Sequence, residues 1–247
     1  MQELHEEADD REKAETEGSE QQKSDYNFSI LGQPDFAMAN IEVPVGGSIK
    51  AEASAMVAMD TSLSMTTGMS GGFKRFITGN DIIVNHFTAD QIPGKLQLSS
   101  GMPGDIKQVY VSEDSPLYLA SSNFLAASPD ISLETEYSGF VRGALSGTGF
   151  FLAKCIGNGD VLFNSYGAIV AIEVEDEFVV DNNHIVAFSS GLDYSIEKFG
   201  DWKSFFLSGE GVVTRFSGQG TVWMQTRKIP AFMAWINPFR RTKKKSD

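Results

Sequence analysis

The stretch FFLSGEGVVTRFSGQGTVWMQT, residues 205–226, contains two closely spaced glycine pairs, each followed by apolar residues. A dinucleotide-binding fingerprint needs a third spaced glycine and then a helix, whereas this segment continues with the β-branched run Val212-Val213-Thr214, which is typical of a strand. A P-loop needs Gly-Lys followed by Ser or Thr, and that triplet does not occur in the chain. The glycines therefore predict turns between short strands, because glycine adopts the backbone angles of tight turns without steric cost.

This stretch is the third copy of an internal repeat. Each copy opens with an aromatic residue, has a glycine six or seven residues later and continues with apolar residues; the copies are FKRFITGNDIIVNHF at 73–87, FVRGALSGTGFFLAK at 140–154 and WKSFFLSGEGVVTRF at 202–216. Their defining positions are Phe73 and Gly79, Phe140 and Gly147, and Trp202 and Gly209. A second element, which alternates in polarity after an initial glycine, starts at Gly94, Gly159 and Gly220. Matching positions recur every 61 to 68 residues, so three copies fill most of the chain.

The repeat predicts the fold class. Period-two alternation is typical of strands with one buried face, and no segment between residues 36 and 228 has the pattern of a three-turn helix. A β-unit of about 60 residues cannot bury its inner face alone. We therefore expect an all-β fold in which three pseudo-symmetric repeats, each a short double-stranded β-helix or sandwich-like unit, surround a pseudo-threefold axis. The expected repeats are 36–108, 109–172 and 173–236, within a single domain of residues 26–239.

The two ends of the chain carry opposite charges. Residues 1–25 hold many acidic and almost no large apolar side chains, which predicts a disordered acidic tail. Residues 240–247 form a basic tail. The formal net charge of the whole chain is −13, and this acidic balance argues against nucleic-acid binding, which depends on Lys and Arg.

Targeting signals and cysteine content favour a cytoplasmic protein. The N-terminus has neither the basic and apolar regions of a secretory signal nor the Arg-rich pattern of a mitochondrial presequence. Cys155 is the single cysteine, so no intrachain disulfide can form. No apolar stretch reaches the roughly 20 residues that a membrane-spanning helix needs.

The repeats resemble a known family. The segments GGFKRFITGNDIIVNHFTA, MPGDI at 102–106, HIVAF at 184–188 and FLSGEGVVTRFSGQG are together similar to the altered-inheritance-of-mitochondria family, over about residues 36–236. The resemblance implies three repeats, each like the tryptophan RNA-binding attenuation protein, a short double-stranded β-helix. It brings no catalytic residues, and the RNA and tryptophan sites of the attenuation protein have no matching positions in this chain. A eukaryotic member implicated in mitochondrial inner-membrane organisation raises mitochondrial localisation as the alternative.

Candidate catalytic and metal-binding residues do not converge in the sequence. The histidines are His5, His86 and His184, which occupy non-equivalent repeat positions, and a metal site would need two or three of them beside a carboxylate. Cys155 lies among apolar neighbours, which favours a structural role, and Ser195 with Lys198 matches Ser-x-x-Lys without the accompanying motifs. The acidic run EVEDE, 173–177, reads as a solvated turn. We therefore expect no catalytic, cofactor or metal site, with a metal site as the open alternative.

The C-terminal segment IPAFMAWINPFRRTKKK joins apolar and basic residues. We expect a last strand followed by a solvated tail; the alternative is contact with a protein partner or an anionic membrane surface. The residues that would make this contact are Trp235, Phe239, Arg240, Arg241, Lys243, Lys244 and Lys245. The sequence thus favours a non-enzymatic, homo-oligomeric β-scaffold that binds an unidentified protein partner at or near a membrane. A small-ligand-binding module with a pocket between repeats is the alternative, and an enzyme is the least favoured class.

Overall fold

The computed structural model describes residues 24–69, 82–136, 152–198 and 212–240, and within them the chain folds almost entirely into antiparallel strands. An initial strand, β1 (Asn27–Leu31), precedes three sets of six. The first set is β2 (Met38–Val43), β3 (Ser48–Glu52), β4 (Met56–Met59), β5 (Leu63–Met69), β6 (Ile83–Ala89) and β7 (Gly94–Ser99). The second is β8 (Ile106–Val111), β9 (Leu117–Ala120), β10 (Phe124–Ala127), β11 (Ser132–Glu136), β12 (Leu152–Ile156) and β13 (Gly159–Asn164). The third is β14 (Ile169–Val174), β15 (Glu177–Asp181), β16 (Ile185–Ser189), β17 (Leu192–Lys198), β18 (Val212–Gly218) and β19 (Gly220–Gln225), and one helix, α1 (Ile229–Ile236), follows.

All three sets use one scheme of strand pairing, which confirms the predicted all-β fold of three pseudo-symmetric repeats. In each set the sixth strand lies between the first and the third, and the fifth lies between the second and the fourth. The pairing of the third with the sixth strand is irregular at the same place each time, just before Ala58, Ala126 and Ala187. Since β8 pairs with β13 and β14 with β19, the hydrogen bonds place the repeat boundaries near Gly104 and Gly167, a few residues before the predicted ones.

Consecutive repeats share their sheets. The two six-stranded sheets have the orders β5-β6-β3-β10-β13-β8 and β11-β12-β9-β16-β19-β14, so each contains half of one repeat and half of the next. The joints are the antiparallel pairs β3 with β10 and β9 with β16. Two half-sheets remain at the ends, β1-β2-β7-β4 and β15-β18-β17, and β4 is not paired with β15. The hydrogen-bonded series of repeats is therefore open.

The core follows from the alternation of the strands. In β7 every second residue is buried, and in β13, which lies in the middle of a six-stranded sheet, all six are. The buried apolar side chains form three clusters, one for each repeat, and the first two also include residues from the next repeat. Leu125 joins the first cluster and Val186 the second. Burial at a joint thus depends on the neighbouring repeat.

The C-terminal segment corrects one expectation. Residues Ile229–Ile236, expected to form a last strand, are an α-helix, and a short 3₁₀ turn, Asn237–Phe239, follows it. Pro230 explains the difference, because proline cannot donate a hydrogen bond to a sheet but is well accommodated in the first turn of a helix. The segment also lacks the period-two alternation that β7 shows. In the described residues no helix is both long and apolar enough to cross a bilayer.

Candidate functional site: the exposed C-terminal helix

Helix α1 presents large apolar side chains to solvent. None of its residues is buried, and Trp235 is 65% exposed. Phe239, in the 3₁₀ turn that follows, is 74% exposed, and Ile229, Phe232 and Met233 are also exposed. A helix that stabilised the fold through an amphipathic face would bury one side. The exposure of α1 instead makes it a candidate interaction surface.

The aromatic rings of this segment form a continuous series. The ring of Tyr166, which follows β13, lies with its centroid 5.8 Å from that of Phe232. Phe232 and Trp235 are 6.0 Å apart, and Trp235 and Phe239 are 5.8 Å apart. Such spacings are typical of favourable ring contacts. The series holds Trp235 and Phe239 in position relative to the β-domain while leaving most of their surface in solvent.

A salt bridge anchors the start of the helix. Nζ of Lys228, the residue before α1, lies 2.7 Å from Oδ2 of Asp181 at the end of β15. Burial tends to raise the pKa of Asp181, but the hydrogen bonds from Lys228 and Asn183 outweigh it, so the pKa lies below its ordinary value. Asp181 is therefore ionised at neutral pH, and its charge is paired with that of Lys228.

The flanks of α1 carry basic side chains. Arg227 and Arg240 are exposed on either side of the helix. The remaining basic residues of the predicted contact, Arg241, Lys243, Lys244 and Lys245, follow directly in the chain and lie outside the described residues. The structure thus brings together Trp235, Phe239 and Arg240 from the predicted set.

The candidate chemical groups are dispersed over the described part of the chain. His86 is half-buried on β6, and Nδ1 of His184 lies 2.6 Å from the backbone oxygen of Gln225. Cys155 is fully buried on β12, where burial raises its pKa to about 12 and so removes the reactive thiolate at neutral pH. Residues 24–69, 82–136, 152–198 and 212–240 contain no group of three or more His, Cys, Asp and Glu side chains suited to a metal ion. His5 lies outside these ranges.

The other predicted positions have structural surroundings. Ser195 donates a hydrogen bond to Glu197. The acidic run 173–177 spans the end of β14 and the start of β15, and its residues 175–176 form the exposed turn between the two strands. Gly94, Gly159 and Gly220 are the first residues of β7, β13 and β19. The remaining repeat-defining residues lie outside the described residues; they are Phe73, Gly79, Phe140, Gly147, Trp202 and Gly209.

Sequence reasoning missed several buried charged groups, two of which are Lys50 and Asp160. Lys50 on β3 is nearly inaccessible, and its Nζ donates to the backbone oxygens of Pro129 and Ile131 across the first joint, with a pKa that burial lowers. Asp160 on β13 is fully buried. Each lies one residue from an apolar side chain in a strand, so the alternation alone predicts an outward, solvated position. Lys50 and Asp160 are buried because of the strands that pack beside them, which the alternation within one strand does not reveal.

A polar network between the second and third repeats also went unpredicted. The side chain of Gln225 accepts hydrogen bonds from Asn123 and from the backbone of Tyr166, and donates one to the backbone oxygen of Asn183. Oδ1 of Asn164 is buried there with no hydrogen-bond partner among the described residues. One such atom is commonly satisfied by a buried water molecule. The network therefore links the second and third repeats through side-chain hydrogen bonds.

The comparisons with known proteins agree with this architecture. The family model described as mitochondrial biogenesis AIM24 matches residues 28–227, which cover all three repeats. The chain belongs to this family. Among its relatives is an uncharacterised protein of Streptococcus pyogenes serotype M6, 25% identical over 228 residues that cover 87% of this chain and 91% of the relative.

A crystal structure shares the fold of this AIM24-family chain. It is that of a Streptococcus pyogenes protein solved in a structural genomics programme, with a TM-score of 0.74 and 25% identity, and the match covers 87% of this chain and all of the other. The resemblance to the altered-inheritance-of-mitochondria family is thereby confirmed. The family match ends at residue 227, just before α1, so the exposed helix lies beyond the part that defines the family.

Proposed function

We propose that this AIM24-family protein is a non-catalytic β-scaffold that attaches to an anionic membrane surface through α1 and the basic residues after it. One observation carries the proposal: an aromatic helix in which no residue is buried is followed, after a three-residue 3₁₀ turn, by a run rich in Arg and Lys. Aromatic residues favour the boundary between lipid headgroups and acyl chains, and basic residues are attracted to anionic headgroups.

The side chains divide these two tasks. Trp235 and Phe239, the most exposed large apolar groups of the segment, would enter the interface, while Arg240 and the basic run beyond it would lie among the headgroups. Because Lys228 is paired with Asp181, the attachment point is tied to the third repeat. A helix of eight residues is too short to cross the bilayer and would lie in its surface.

The acidic balance of the chain does not prevent this contact. The formal net charge is −13, but many of the acidic residues lie within residues 1–25, at the opposite end of the sequence from the basic run. At physiological ionic strength charges are screened beyond about 8 Å, so the local basic charge governs the attraction at the membrane surface. Binding should accordingly weaken as salt is added.

Vesicle flotation tests the proposal. We expect the full chain to float with phosphatidylcholine vesicles that contain phosphatidylserine, and to bind pure phosphatidylcholine weakly. The double variant Trp235→Ala, Phe239→Ala should bind at least about tenfold more weakly, which corresponds to a loss of about 1.4 kcal/mol. Phe36→Ala is the matched control, because Phe36 is equally exposed but lies before β2, outside the helix.

Two results would contradict membrane attachment. One is a parent chain that stays with the protein fraction whatever the vesicle composition. The other is a double variant that binds as the parent and Phe36→Ala do, since the exposed rings would then have no part in the interaction.

A further inference from the structure

Strand β4 is exposed although its counterparts in the other repeats are among the most buried strands of the molecule. All four residues of β4 are exposed, whereas all four of β10 and the matching four of β16 are buried. Val57 is 54% exposed, while its counterparts Leu125 and Val186 are each 0% exposed. The residues of β4 are as apolar as those of β10. What β4 lacks is the second neighbouring strand that β3 supplies to β10.

Strand β15 has the complementary edge. Its counterparts β3 and β9 each lie between two strands, whereas β15 pairs with β18 alone. Val179, at the centre of β15, is 40% exposed, and its counterpart Lys50 is nearly inaccessible despite its charge. The chain forms this joint twice internally, between β3 and β10 and between β9 and β16. The half-sheets that end in β4 and β15 have the two edges that a third such joint would pair, but these edges are not paired with each other.

Within the part of the chain that the structure describes, neither edge carries the usual protection of an exposed strand. Folded proteins protect edges with charged residues, proline or a covering segment. The sequence of β4 is Met-Val-Ala-Met, and the charged residues of β15 are confined to its ends, at Glu177 and Asp181. The opposite side of the first half-sheet is covered, because β1 pairs with β2 from Met38 to Glu42. An exposed pair of complementary edges whose central residues are uncharged favours strand pairing between molecules.

The geometry points to a second copy of this chain as the partner, with β15 of one copy antiparallel to β4 of the next. The internal joints set the register: Ala126 lies opposite Ala51, and Ala187 opposite Leu119. The same repeat positions place Ala58 opposite Val180 and Met59 opposite Val179 of the neighbouring copy. The combined sheet has seven strands, β1-β2-β7-β4-β15-β18-β17.

The side chains of β4 would be buried in the core of the neighbouring copy at this joint. Leu125 and Val186 enter the core cluster of the preceding repeat, so Val57 would enter the third cluster, which receives no residue from a following repeat among those described. Because the two edges differ, the contact is head-to-tail, and repeated addition gives a closed ring or an open filament. The interface involves β4 and β15 rather than α1, so it stands independently of membrane attachment.

Mixed-chain disulfide formation tests the register. One chain carries Met59→Cys and a second carries Val179→Cys; directly opposed side chains on paired strands are close enough for a disulfide. Mixing and mild oxidation should give a covalent dimer, while either chain alone should give none. Cys155 is fully buried and serves as an unreactive background. Val170→Cys, an exposed residue on β14, replaces Val179→Cys in the control and should not cross-link with Met59→Cys.

Sedimentation velocity tests the assembly itself. The parent chain should sediment as an oligomer, and Val57→Lys and Val179→Lys should each sediment as monomers with the parental far-ultraviolet circular dichroism. Val170→Lys should remain oligomeric. Two variants on opposite edges are used so that misfolding of one leaves the other informative. A parent that is monomeric at all concentrations, or an oligomer without the Met59–Val179 cross-link, overturns the inference.

Discussion

Asp160 shows how one residue ties the N-terminal segment to the second repeat. Its Oδ2 accepts hydrogen bonds from Ser24 Oγ at 2.9 Å and from the backbone nitrogen of Asp25 at 2.8 Å, and its Oδ1 accepts one from Gln108 Nε2. Ser24 and Asp25, which composition assigned to the acidic tail, therefore contact the folded domain. Burial raises the pKa of Asp160 above its ordinary value, although these hydrogen bonds partly oppose the shift.

Asp160→Asn should change how stability depends on pH. A carboxyl whose pKa is raised by folding contributes stability that is present below the unfolded pKa, about 4 for aspartate, and is lost as pH rises through the folded value. The stability of the parent relative to Asp160→Asn should therefore fall as pH rises from about 3.5 to 7. Urea unfolding midpoints at both pH values measure this difference.

The control for this experiment is Asp193→Asn, at an exposed position on β17. The other titratable groups are the same in parent and variant, so their effects cancel when the two unfolding midpoints are subtracted. A difference between the parent and Asp160→Asn that stays constant across this range, or that matches the Asp193→Asn series, would show that Asp160 does not titrate as its burial requires.

The glycines that open the last strand of each repeat act through close packing between elements. A Cβ on Gly220 would lie 2.2 Å from Oγ of Ser189 and 3.0 Å from Cγ of Leu192, and one on Gly94 would lie 2.6 Å from Leu63. In both repeats the first residue of the fourth strand lies against the start of the sixth, and in the third repeat the last residue of the third strand does so as well. The absence of a side chain lets these elements meet.

Gly220→Ala should destabilise the fold by about 1–3 kcal/mol, the usual cost of forcing an extra group into a packed site. The midpoint of chemical denaturation measures the change. Gly101→Ala is the matched control, since a Cβ there has no atom within 4 Å, and it should leave the midpoint unchanged. Equal midpoints for the two variants would show that the start of β19 has more room than its neighbours allow.

Much of the element-level structure is predictable from the sequence, for physical reasons. Alternation after Gly94, Gly159 and Gly220 predicts β7, β13 and β19 because every second side chain must face the core. The exposure of β4 is not predictable, since MVAM is as apolar as the buried FLAA of β10 and only the missing neighbour distinguishes them. The sequence does not predict helix α1 on its own, because an apolar run of this length also suits a strand and only Pro230 disfavours one.

In the whole molecule the same type of strand pairing joins the first repeat to the second and the second to the third. Each joint lets a repeat complete its neighbour's sheet and core, as in other repeat proteins whose units are stable only beside one another. The three repeats were predictable because their matching positions recur at a nearly constant spacing. The unpaired edges at β4 and β15 were not predictable from the sequence. Whether the first and third repeats pair with each other depends on the rotation between repeats, which no local sequence pattern specifies.

The same architecture gives the candidate surfaces their arrangement. The basic and aromatic segment follows the third repeat, and the open edges lie on the first and third. In a head-to-tail assembly every copy would contribute its own α1, so weak membrane contacts would act together. The scaffold and the membrane surface would then reinforce each other without any catalytic group.

Native mass spectrometry of the gently purified full chain tests whether copies of this β-scaffold join to one another. We expect complexes whose masses are whole multiples of the 26.9 kDa chain, with no additional bound mass. A monomer alone, or a monomer that carries a discrete small molecule or metal ion, would contradict it. The first result would leave the open edges without a partner, and the second would identify the protein as a ligand-binding module.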